Sequence, residues 1–400
     1  MDAKRGAADP PAVDDVINDR SFRGPALLGG EGAFSSAQLS EAHLSSTISF
    51  DATRDREALP QNFLSGSRYQ CQEYINRGAS SFVVMAVDTT TDLKYALKFI
   101  PIQATKSKYI EREILNQFKL RHPHVIKLEE FFLTKDHLVL VLEYADKGDL
   151  FSYVKKRGRL REDAARWFFQ QIILAIDFCH KMGVVNRDIK LENILVSSMT
   201  SGKVTSKRFV KLSDFGFSKD ETRHSAPHTR LGTVMYIAPE VMTSKSNESY
   251  DAKKTDVWSA GVALYVMLAG RYPFLPESDP SSESGEEFGV KKMRVLLDRT
   301  ANNTFYKVPG VSEECHKLLV GMLEADPSTR SSISDVMRSD WFLLGLSPDI
   351  HDFNDRVVSK LKKHPRVNDE AIAKVRGILL GSAKLSIDAP KDSTFTGDGI

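Results

Sequence analysis

The chain has 400 residues, of which 41% are hydrophobic and 27% are charged, and its formal net charge is +2 at pH 7. This composition is typical of a globular protein with a hydrophobic core, and so small a net charge gives no electrostatic case for binding nucleic acid or an anionic membrane. The three cysteines lie far apart, so a disulfide framework is not expected. No uncharged run reaches the length of a membrane span, and we expect a cytoplasmic or nuclear setting.

The first half of the chain predicts a disordered arm followed by a sheet. Residues 1–67 are rich in Ala, Ser, Gly, Asp and Pro without periodicity, which is typical of disorder. From residue 68, β-branched and aromatic runs broken by polar turns predict a meander of strands. Apolar spacing predicts a helix in SKYIEREILNQFKL (107–120), and LEEFFLTKDHLVLVLEYA (128–145) predicts a hairpin of two buried strands.

The second half is mainly helical. REDAARWFFQQIILAIDFCHKMG (161–183) predicts a long helix that ends at Gly183, and VWSAGVALYVMLAG (257–270) predicts a buried central helix. A small β-rich lobe before a large helical lobe indicates an α+β fold with a ligand cleft between the lobes.

Four further stretches bear on domain organisation. The Ser-rich stretches 197–208 and 275–289 predict surface insertions, and 386–400 predicts a disordered tail. Residues 344–385 predict a helical segment that either packs on the preceding domain as a regulatory element or binds a partner; its amphipathicity leaves both open.

Two motifs in the predicted sheet suit phosphate binding. The hairpin INRGASSFVVMAVD (75–88) has a flexible Gly78 and could lay backbone N–H groups over phosphates, although a plain β-hairpin fits as well. Lys98 ends an apolar strand, where burial requires an anionic partner, and Glu113 on the next helix is the candidate. The alternative for this pair is a surface lysine and a solvated acid.

Two further motifs suit phosphoryl transfer. In VVNRDIKLENIL (184–195), Asp188 can accept a hydroxyl proton, Lys190 can neutralise a phosphoryl oxygen, and Asn193 can bind a metal through its amide oxygen. In LSDFGFSK (212–219), Asp214 suits Mg²⁺, which takes one or two carboxylates together with phosphate oxygens. Taken singly, each motif could also be an ordinary polar loop or turn.

Together, these residues occur in the order and spacing of the protein-kinase template, and residues 68–343 resemble a eukaryotic protein kinase. RLGTVMYIAPE, TDVWSAG and DPSTR are similar to further landmarks of that family, and the resemblance implies that Glu240 pairs with Arg330 and that Asp256 braces the catalytic loop. Within it, the chain most resembles the plant sucrose-nonfermenting-related kinases of the second subfamily, through LFSYVKKRGRLREDAARWFFQQIILAIDFCH, KLENIL and YDAKKTDVWSAGVALYVMLAGRYPF. The acidic tail typical of many members is absent, which puts docking through such a tail in doubt.

The resemblance implies the bilobal kinase fold, with ATP and Mg²⁺ as cofactors. It implies that Asp188 receives the acceptor hydroxyl, that Lys190 offsets charge on the γ-phosphoryl group, and that Glu113 holds Lys98. Asn193 and Asp214 are expected to bind the metal. The residues expected to contact the nucleotide are Ile75, Asn76, Gly78, Val83, Ala96, Lys98, Leu142, Glu143, Ala145 and Leu195.

Lys190 and Thr233 imply specificity for serine and threonine. Asp149 and Glu192 fall where related kinases read a basic residue three positions before the target, although Asp149 could instead cap a helix. Arg187 implies activation by phosphorylation of the activation segment, with Thr229 favoured and Ser225 second.

The expected partners are protein substrates, an upstream kinase and a phosphatase in stress or nutrient signalling of plant or algal type. Nucleic acid and membrane are not expected partners, and a monomer is expected.

The catalytic loop departs from the family pattern, because Asn186 stands where the family usually has histidine. Asn76 and Ser81 likewise replace glycines of the phosphate loop. These departures motivate an alternative, a pseudokinase scaffold that binds partners without phosphoryl transfer. The resemblance implies instead that the residue at 186 supports the backbone near Asp214, so that its replacement affects regulation rather than chemistry.

Overall fold

The computed structural model describes residues 64, 67–77, 81–102, 110–198, 208–215, 234–243, 250–275, 295–363, 367, 372–373 and 375–379. The predicted N-terminal arm (except residues 64 and 67), the predicted tail and most of the insertion at 275–289 lie outside these residues. The described residues fall into two units. We call them the sheet unit (67–119, 128–144 and 372–379) and the helical unit (120–127 and 145–363).

The sheet unit is built on five antiparallel strands in the order β1-β2-β3-β5-β4. Their bounds are β1 Tyr69–Arg77, β2 Phe82–Asp88, β3 Lys94–Pro101, β4 Leu128–Leu133 and β5 His137–Glu143. Side chains alternate between the two faces of each strand. One face forms a hydrophobic core whose members include Val84, Leu97, Phe99, Val139 and Val141, all fully buried. The predicted meander and hairpin are therefore present.

Helix α1 (Ile110–Lys119) belongs to the same unit. Its Ile114 is fully buried, as the apolar spacing predicted. Residues 375–379 are helical, Val375 is 1% exposed, and Arg376 Nε donates to Glu111 Oε1 at 2.9 Å. This part of the C-terminal segment therefore contacts α1.

The helical unit surrounds two long helices, α3 and α5. Its helices are α2 Leu150–Lys155, α3 Glu162–Lys181, α4 Pro239–Thr243, α5 Ala252–Ala269, α6 Glu313–Met322, α7 Ile333–Arg338, α8 Asp340–Leu343 and α9 Ile350–Lys363, and residues 295–301 are also helical. Every residue of α5 from Thr255 to Leu268 is buried, which agrees with its apolar sequence on all sides. Among the described residues, no helix combines the length and apolarity needed to cross a bilayer.

Glycines end both long helices. Gly183 (φ 74°) follows α3, as predicted, and Gly270 (φ 70°) is the left-handed C-cap of α5. A Cβ on Gly270 would lie 2.2 Å from the carbonyl oxygen of Gly158, so no other residue fits there without backbone movement. The loop after α2 is thereby packed against the end of α5.

Helix α9 packs on α3 through a buried polar network. Asn354, 1% exposed, donates from Nδ2 to Leu174 O at 2.9 Å and to Asp177 Oδ2 at 2.8 Å. Its Oδ1 lies 3.1 Å from His122 Nε2. Of the two alternatives left open for the C-terminal segment, packing on the preceding domain describes α9.

Strands β6 (Ile194–Ser198) and β7 (Arg208–Leu212) form a separate hairpin. The sequence predicted an insertion across 197–208, but both ends of that stretch belong to the strands, with Ser198 paired to Arg208. Backbone pairing continues through residues whose side chains are polar, so the composition placed the boundary too early.

Candidate active site

Three residues of the predicted catalytic loop, Asp188, Lys190 and Asn193, are in mutual contact. Lys190 Nζ donates to both carboxylate oxygens of Asp188, at 2.9 and 2.8 Å. Asn193 Nδ2 donates to Asp188 Oδ2 at 2.7 Å and to Asp188 O at 2.9 Å. Asn193 is buried in a 3₁₀ turn, Leu191–Asn193, that leads into β6. Asp188 is thus oriented by a cation on one side and an amide on the other.

A buried aspartate holds the backbone of this loop. Asp256 on α5 is 1% exposed and accepts hydrogen bonds from the backbone N–H of Asn186 at 3.1 Å and of Arg187 at 2.9 Å. Its Oδ2 also lies 2.8 Å from His180 Nε2 on α3. Arg187 has φ 63°, a left-handed conformation that non-glycine residues rarely adopt, so two helices cooperate to hold a strained loop.

Asn186 forms hydrogen bonds through both ends of its amide. Its Nδ2 donates to Asp214 O at 3.2 Å, and its Oδ1 accepts from Asp188 N at 3.0 Å. The residue is buried, at 5% exposure. The expectation that residue 186 supports the backbone near Asp214 thus agrees with this geometry, and Asn186 also ties that backbone to Asp188.

Asp214 lies two residues after the end of β7, and its neighbour Ser213 contacts Asn193. The backbone N–H and Oγ of Ser213 donate to Asn193 O at 2.8 and 2.7 Å. Asp214 itself has φ 54°. The two predicted metal ligands therefore come from elements that are directly hydrogen-bonded to each other.

Four of the predicted nucleotide contacts lie on one face of the sheet unit. Val83 pairs with Lys98, and Ala96 pairs with Leu142. Directly opposed residues of antiparallel strands share a face, and alternate residues of one strand do too. All four therefore lie on the other face of the sheet from Leu97 and Phe99, which belong to the hydrophobic core. Lys98 is 8% exposed, so its charge is largely shielded from solvent.

The remaining predicted contacts are placed individually. Ile75 and Asn76 lie near the end of β1, and Ile75 is 42% exposed. Glu143 is the last residue of β5, and Ala145 lies two residues beyond it. Leu195 lies in β6 opposite Lys211. Glu113 lies on α1, and its side chain is not among those that the structure describes. Gly78, Thr233, Thr229 and Ser225 also lie outside the described residues.

The two acids predicted to read a basic residue have different surroundings. Asp149 is the N-cap of α2: its Oδ1 accepts from Ser152 N at 2.7 Å and its Oδ2 from Ser152 Oγ at 2.9 Å. The capping alternative is therefore realised. Glu192 Oε2, in contrast, is buried with no hydrogen-bond partner among the described residues. Burial raises the pKa of Glu192, whereas a hydrogen bond from its own backbone and the charge of Lys190 act in the opposite direction.

The landmark residues after the catalytic loop form the ion pair that the resemblance implies. Arg330, whose side chain is fully buried, donates from Nη1 and Nη2 to the two oxygens of Glu240, at 2.7 and 2.8 Å. It also donates to the backbone carbonyls of Glu324, Ala325 and Lys254. Such bidentate pairing is the arrangement in which a buried arginine is best compensated.

Two groups of residues around the site were missed by the sequence reasoning. His180 bonds to Asp256, and only its place six residues before Asn186 could have drawn attention to it. Tyr236 and Tyr272 pack edge to face, with ring centroids 5.7 Å apart. Burial and then the Glu192 carboxylate raise the pKa of both tyrosines, so they flank that acid. No local pattern identifies this pair, since the two residues are distant in sequence.

Comparison with known proteins gives the same family. The family model of the protein kinase domain matches residues 69–342. The serine/threonine-protein kinase SRK2C of Arabidopsis thaliana is 38% identical over 285 residues, which cover 71% of this chain and 78% of the relative. SRK2A of Physcomitrium patens is 36% identical over 336 residues, covering 83% and 89% respectively. SAPK1 of Oryza sativa subsp. japonica is 38% identical over 288 residues, covering 71% and 78%.

These relatives confirm the resemblance to the second subfamily of the plant sucrose-nonfermenting-related kinases. The five-stranded sheet followed by helices agrees with the expected α+β fold. The chain belongs to the eukaryotic protein kinase family and is a serine/threonine kinase similar to the plant SRK2 and SAPK proteins.

Proposed function

We propose that this kinase uses ATP and Mg²⁺ to phosphorylate serine or threonine in proteins that carry a basic residue three positions before the target. The observation that carries the proposal is the contact of Asp188 with both Lys190 and Asn193. Protein kinases generally use this cofactor pair, and their catalysis depends mainly on positioning and electrostatic stabilisation.

The contacts of each residue support the role that we propose for it. Asp188 orients the acceptor hydroxyl and accepts its proton. Lys190, already at the Asp188 carboxylate, is placed to offset charge that develops on the transferred group. Lys98, on one face of the sheet, supplies a shielded positive charge for the nucleotide phosphates.

The donor chemistry of the loop fits Mg²⁺. Asn193 uses its Nδ2 on Asp188, which leaves the amide oxygen as the atom available to a cation. Asp214 supplies a carboxylate from the neighbouring strand end. Mg²⁺ takes one or two protein carboxylates together with phosphate oxygens, and Asp214 with Asn193 is a donor set of that kind. When bound, Mg²⁺ neutralises phosphate charge.

Glu192 is the residue that best supports a basic specificity. Its buried, unpartnered carboxylate oxygen is a costly arrangement that a cation from the substrate would relieve. Asp149 contributes a second negative charge from the N-terminus of α2 while it caps that helix. A peptide array that showed no selection for Arg or Lys at the third position before the target would refute this specificity.

The pseudokinase alternative is not supported, because the relatives are named as kinases and the catalytic-loop residues are in contact. The deciding assay is phosphate transfer from Mg-ATP to a short basic peptide, with Asp188→Asn as the blank. We expect transfer by the unaltered protein only. Equal signal from both proteins would count against the enzyme and for a scaffold.

For the cellular role, we propose stress or nutrient signalling in the cytoplasm or nucleus as a monomer, with an upstream kinase acting on Thr229 and a phosphatase reversing it. The support is similarity to the SRK2 and SAPK kinases together with Arg187, whose charge a phosphate would counter. The test is mass spectrometry of the active protein alongside Thr229→Ala and Ser225→Ala. Full activity of Thr229→Ala after treatment with the upstream kinase would exclude Thr229.

A further inference from the structure

A dense cluster of positive charge follows helix α2. Lys155, Lys156, Arg157 and Arg159 fall within five residues and all are exposed; we call residues 155–159 the basic loop. Among the described residues, Lys155, Lys156 and Arg159 have no carboxylate within ion-pair distance. The acids closest in sequence have other partners, since Asp163 pairs with Arg161 and Asp149 caps α2. The cluster is therefore not neutralised locally.

The basic loop has a fixed backbone. Lys156 N donates to Ser152 O at 3.1 Å, Arg157 N donates to Val154 O at 2.9 Å, and Gly158 has φ 76°. The next apolar residue, Leu160, is buried and its N–H donates to Met267 O at 2.7 Å. Gly158 O packs against Gly270. A preformed surface loses little conformational entropy when a partner binds, and a loop held in this way cannot be bound as an extended strand.

The surroundings of the basic loop favour a peptide over nucleic acid or membrane. The nearby ring of Tyr153 is covered by the guanidinium groups of Arg157 at 3.8 Å and Arg208 at 4.8 Å, which leaves no bare aromatic platform for stacking a base. None of the exposed large hydrophobic residues of the described chain lies between residues 145 and 165, so this stretch itself offers no apolar side chain to insert into a bilayer. Carboxylates are the remaining match, and arginine binds them bidentately.

The position of the basic loop relates it to the substrate. Helix α2 separates it from Asp149, and six helical residues span about 9 Å at 1.5 Å per residue. An extended peptide covers that distance in about three residues, at roughly 3.3 Å each. A substrate whose basic residue lies at Asp149 can therefore reach the basic loop with side chains a few residues further along.

We propose that the basic loop is a docking site for acidic residues of protein substrates, located about three to six residues N-terminal to the basic residue that Asp149 and Glu192 read. This inference rests on the proposed function. Several exposed ion pairs acting together, each weak, raise affinity for the substrate rather than the rate of transfer, and they weaken as salt shortens the range of electrostatic attraction.

The test compares three peptides that share one basic phosphorylation motif. The first has a block of Asp and Glu on its N-terminal side, the second has the same block on its C-terminal side, and the third has Asn and Gln in place of the acids. They are assayed with the unaltered protein, with Lys155→Ser/Lys156→Ser/Arg159→Ser, and with Lys135→Ser/Lys362→Ser/Lys363→Ser, which removes equal charge from exposed positions elsewhere. Circular dichroism checks that each variant is folded.

In the unaltered protein and in the control variant, we expect the N-terminal acidic block to lower KM about 5-fold with kcat unchanged. In the basic-loop variant and at high salt, we expect this effect on KM to vanish. Equal KM for the acidic and neutral peptides overturns the proposal, as does a preference that survives in the basic-loop variant. Preference for the C-terminal block, or competition by a single-stranded oligonucleotide that the basic-loop variant abolishes, also overturns it. Absence of transfer to every peptide is a different failure, because it refutes the proposed function itself.

Discussion

At the scale of single residues, Asn186 shows how a departure from a family pattern can be accommodated. Its amide links Asp214 O to Asp188 N, so it joins the backbone of a predicted metal ligand to that of the predicted acceptor of the hydroxyl proton. Two partly buried backbone groups depend on it, and a fully buried group costs about 1–3 kcal/mol when it is left without a partner.

The first prediction concerns this bridge. Asn186→His retains a ring donor and adds apolar area, so we expect kcat equal to or above that of the unaltered protein. Asn186→Leu removes both hydrogen bonds, and we expect kcat to fall about 10- to 100-fold. Steady-state kinetics with a basic peptide measures both. A sharp loss in Asn186→His would mean that Asp188 needs the Oδ1 contact, which only the amide provides.

The second prediction concerns Glu192 and pH. Recognition of a basic residue needs the ionised carboxylate, and burial raises the pKa of Glu192, so protonation begins at a higher pH than for an ordinary glutamate. We therefore expect KM for a basic peptide to rise as the pH is lowered below neutrality. In Glu192→Gln, KM should be high, by about 10-fold, and independent of this titration.

Unfolding gives an independent check on Glu192. A raised pKa means that the folded state disfavours the ionised form, so ionised Glu192 destabilises the fold above that pKa. Glu192→Gln should consequently unfold at the same or a slightly higher temperature near neutral pH. A clear loss of stability would show that Glu192 has a structural partner and would remove the argument for a substrate cation.

The site residues differ in how far the sequence could identify them. Asp188, Lys190, Asn193 and Asp214 could be predicted as candidates, because their chemistry and their spacing along one short loop and one strand end single them out. The support from Asp256 is implied by the resemblance alone, and the left-handed backbone of Arg187 is not implied by it; neither follows from local pattern, since both depend on a tertiary contact between α5 and the loop.

At the scale of elements, apolar periodicity predicted strands and helices well where a single face or a whole element is buried. β3 and α5 are examples: β3 carries a run of four buried residues, and α5 is apolar all round. Periodicity failed at the β6–β7 hairpin, where backbone pairing continues into a polar stretch. It also gave no sign of Asn354, a polar residue on the buried face of α9.

The third prediction concerns Asn354. It is the one polar side chain among the buried residues of α9, and it contacts His122, Leu174 O and Asp177. Backbone N–H of His124 donates to His122 Nδ1, so the ring proton is on Nε2 and is donated to Asn354. Burial lowers the pKa of His122, which keeps the ring neutral.

Replacing Asn354 by Leu preserves size but removes three hydrogen bonds, and it leaves His122 Nε2 without its partner, whereas Asp177 keeps its ion pair with Lys181. We expect the free energy of unfolding to fall by about 1–3 kcal/mol. The control is Arg356→Leu, an exposed position on the same helix, which should change stability by less than about 0.5 kcal/mol. Urea denaturation measures both; similar values for the two variants would show that the network contributes little.

At the scale of the whole molecule, the end of the match to the kinase-domain model and the end of the folded core do not coincide. The kinase-domain model ends at residue 342, yet α9 lies beyond it and buries Ile350, Phe353, Asn354, Val357, Val358 and Leu361. Its side chains belong to the same hydrophobic cluster as those of α3 and α5. A chain that ended at residue 342, where the match to the kinase-domain model ends, would therefore lose part of its core.

The fourth prediction follows from this difference in boundary. Burying an apolar side chain of this size contributes about 1.5–3 kcal/mol, so the five apolar residues of α9 together contribute an amount comparable with the whole stability of a typical domain, about 5–15 kcal/mol. We expect a chain that ends at residue 343 to be aggregated or unfolded, and a chain that ends at residue 365 to melt cooperatively, close to the temperature of the full chain. Scanning calorimetry and size-exclusion chromatography distinguish the two. If the shorter chain melts at the same temperature as the longer one, α9 is an appendage whose removal the helical core tolerates, and the stabilising role assigned to Asn354 fails with it.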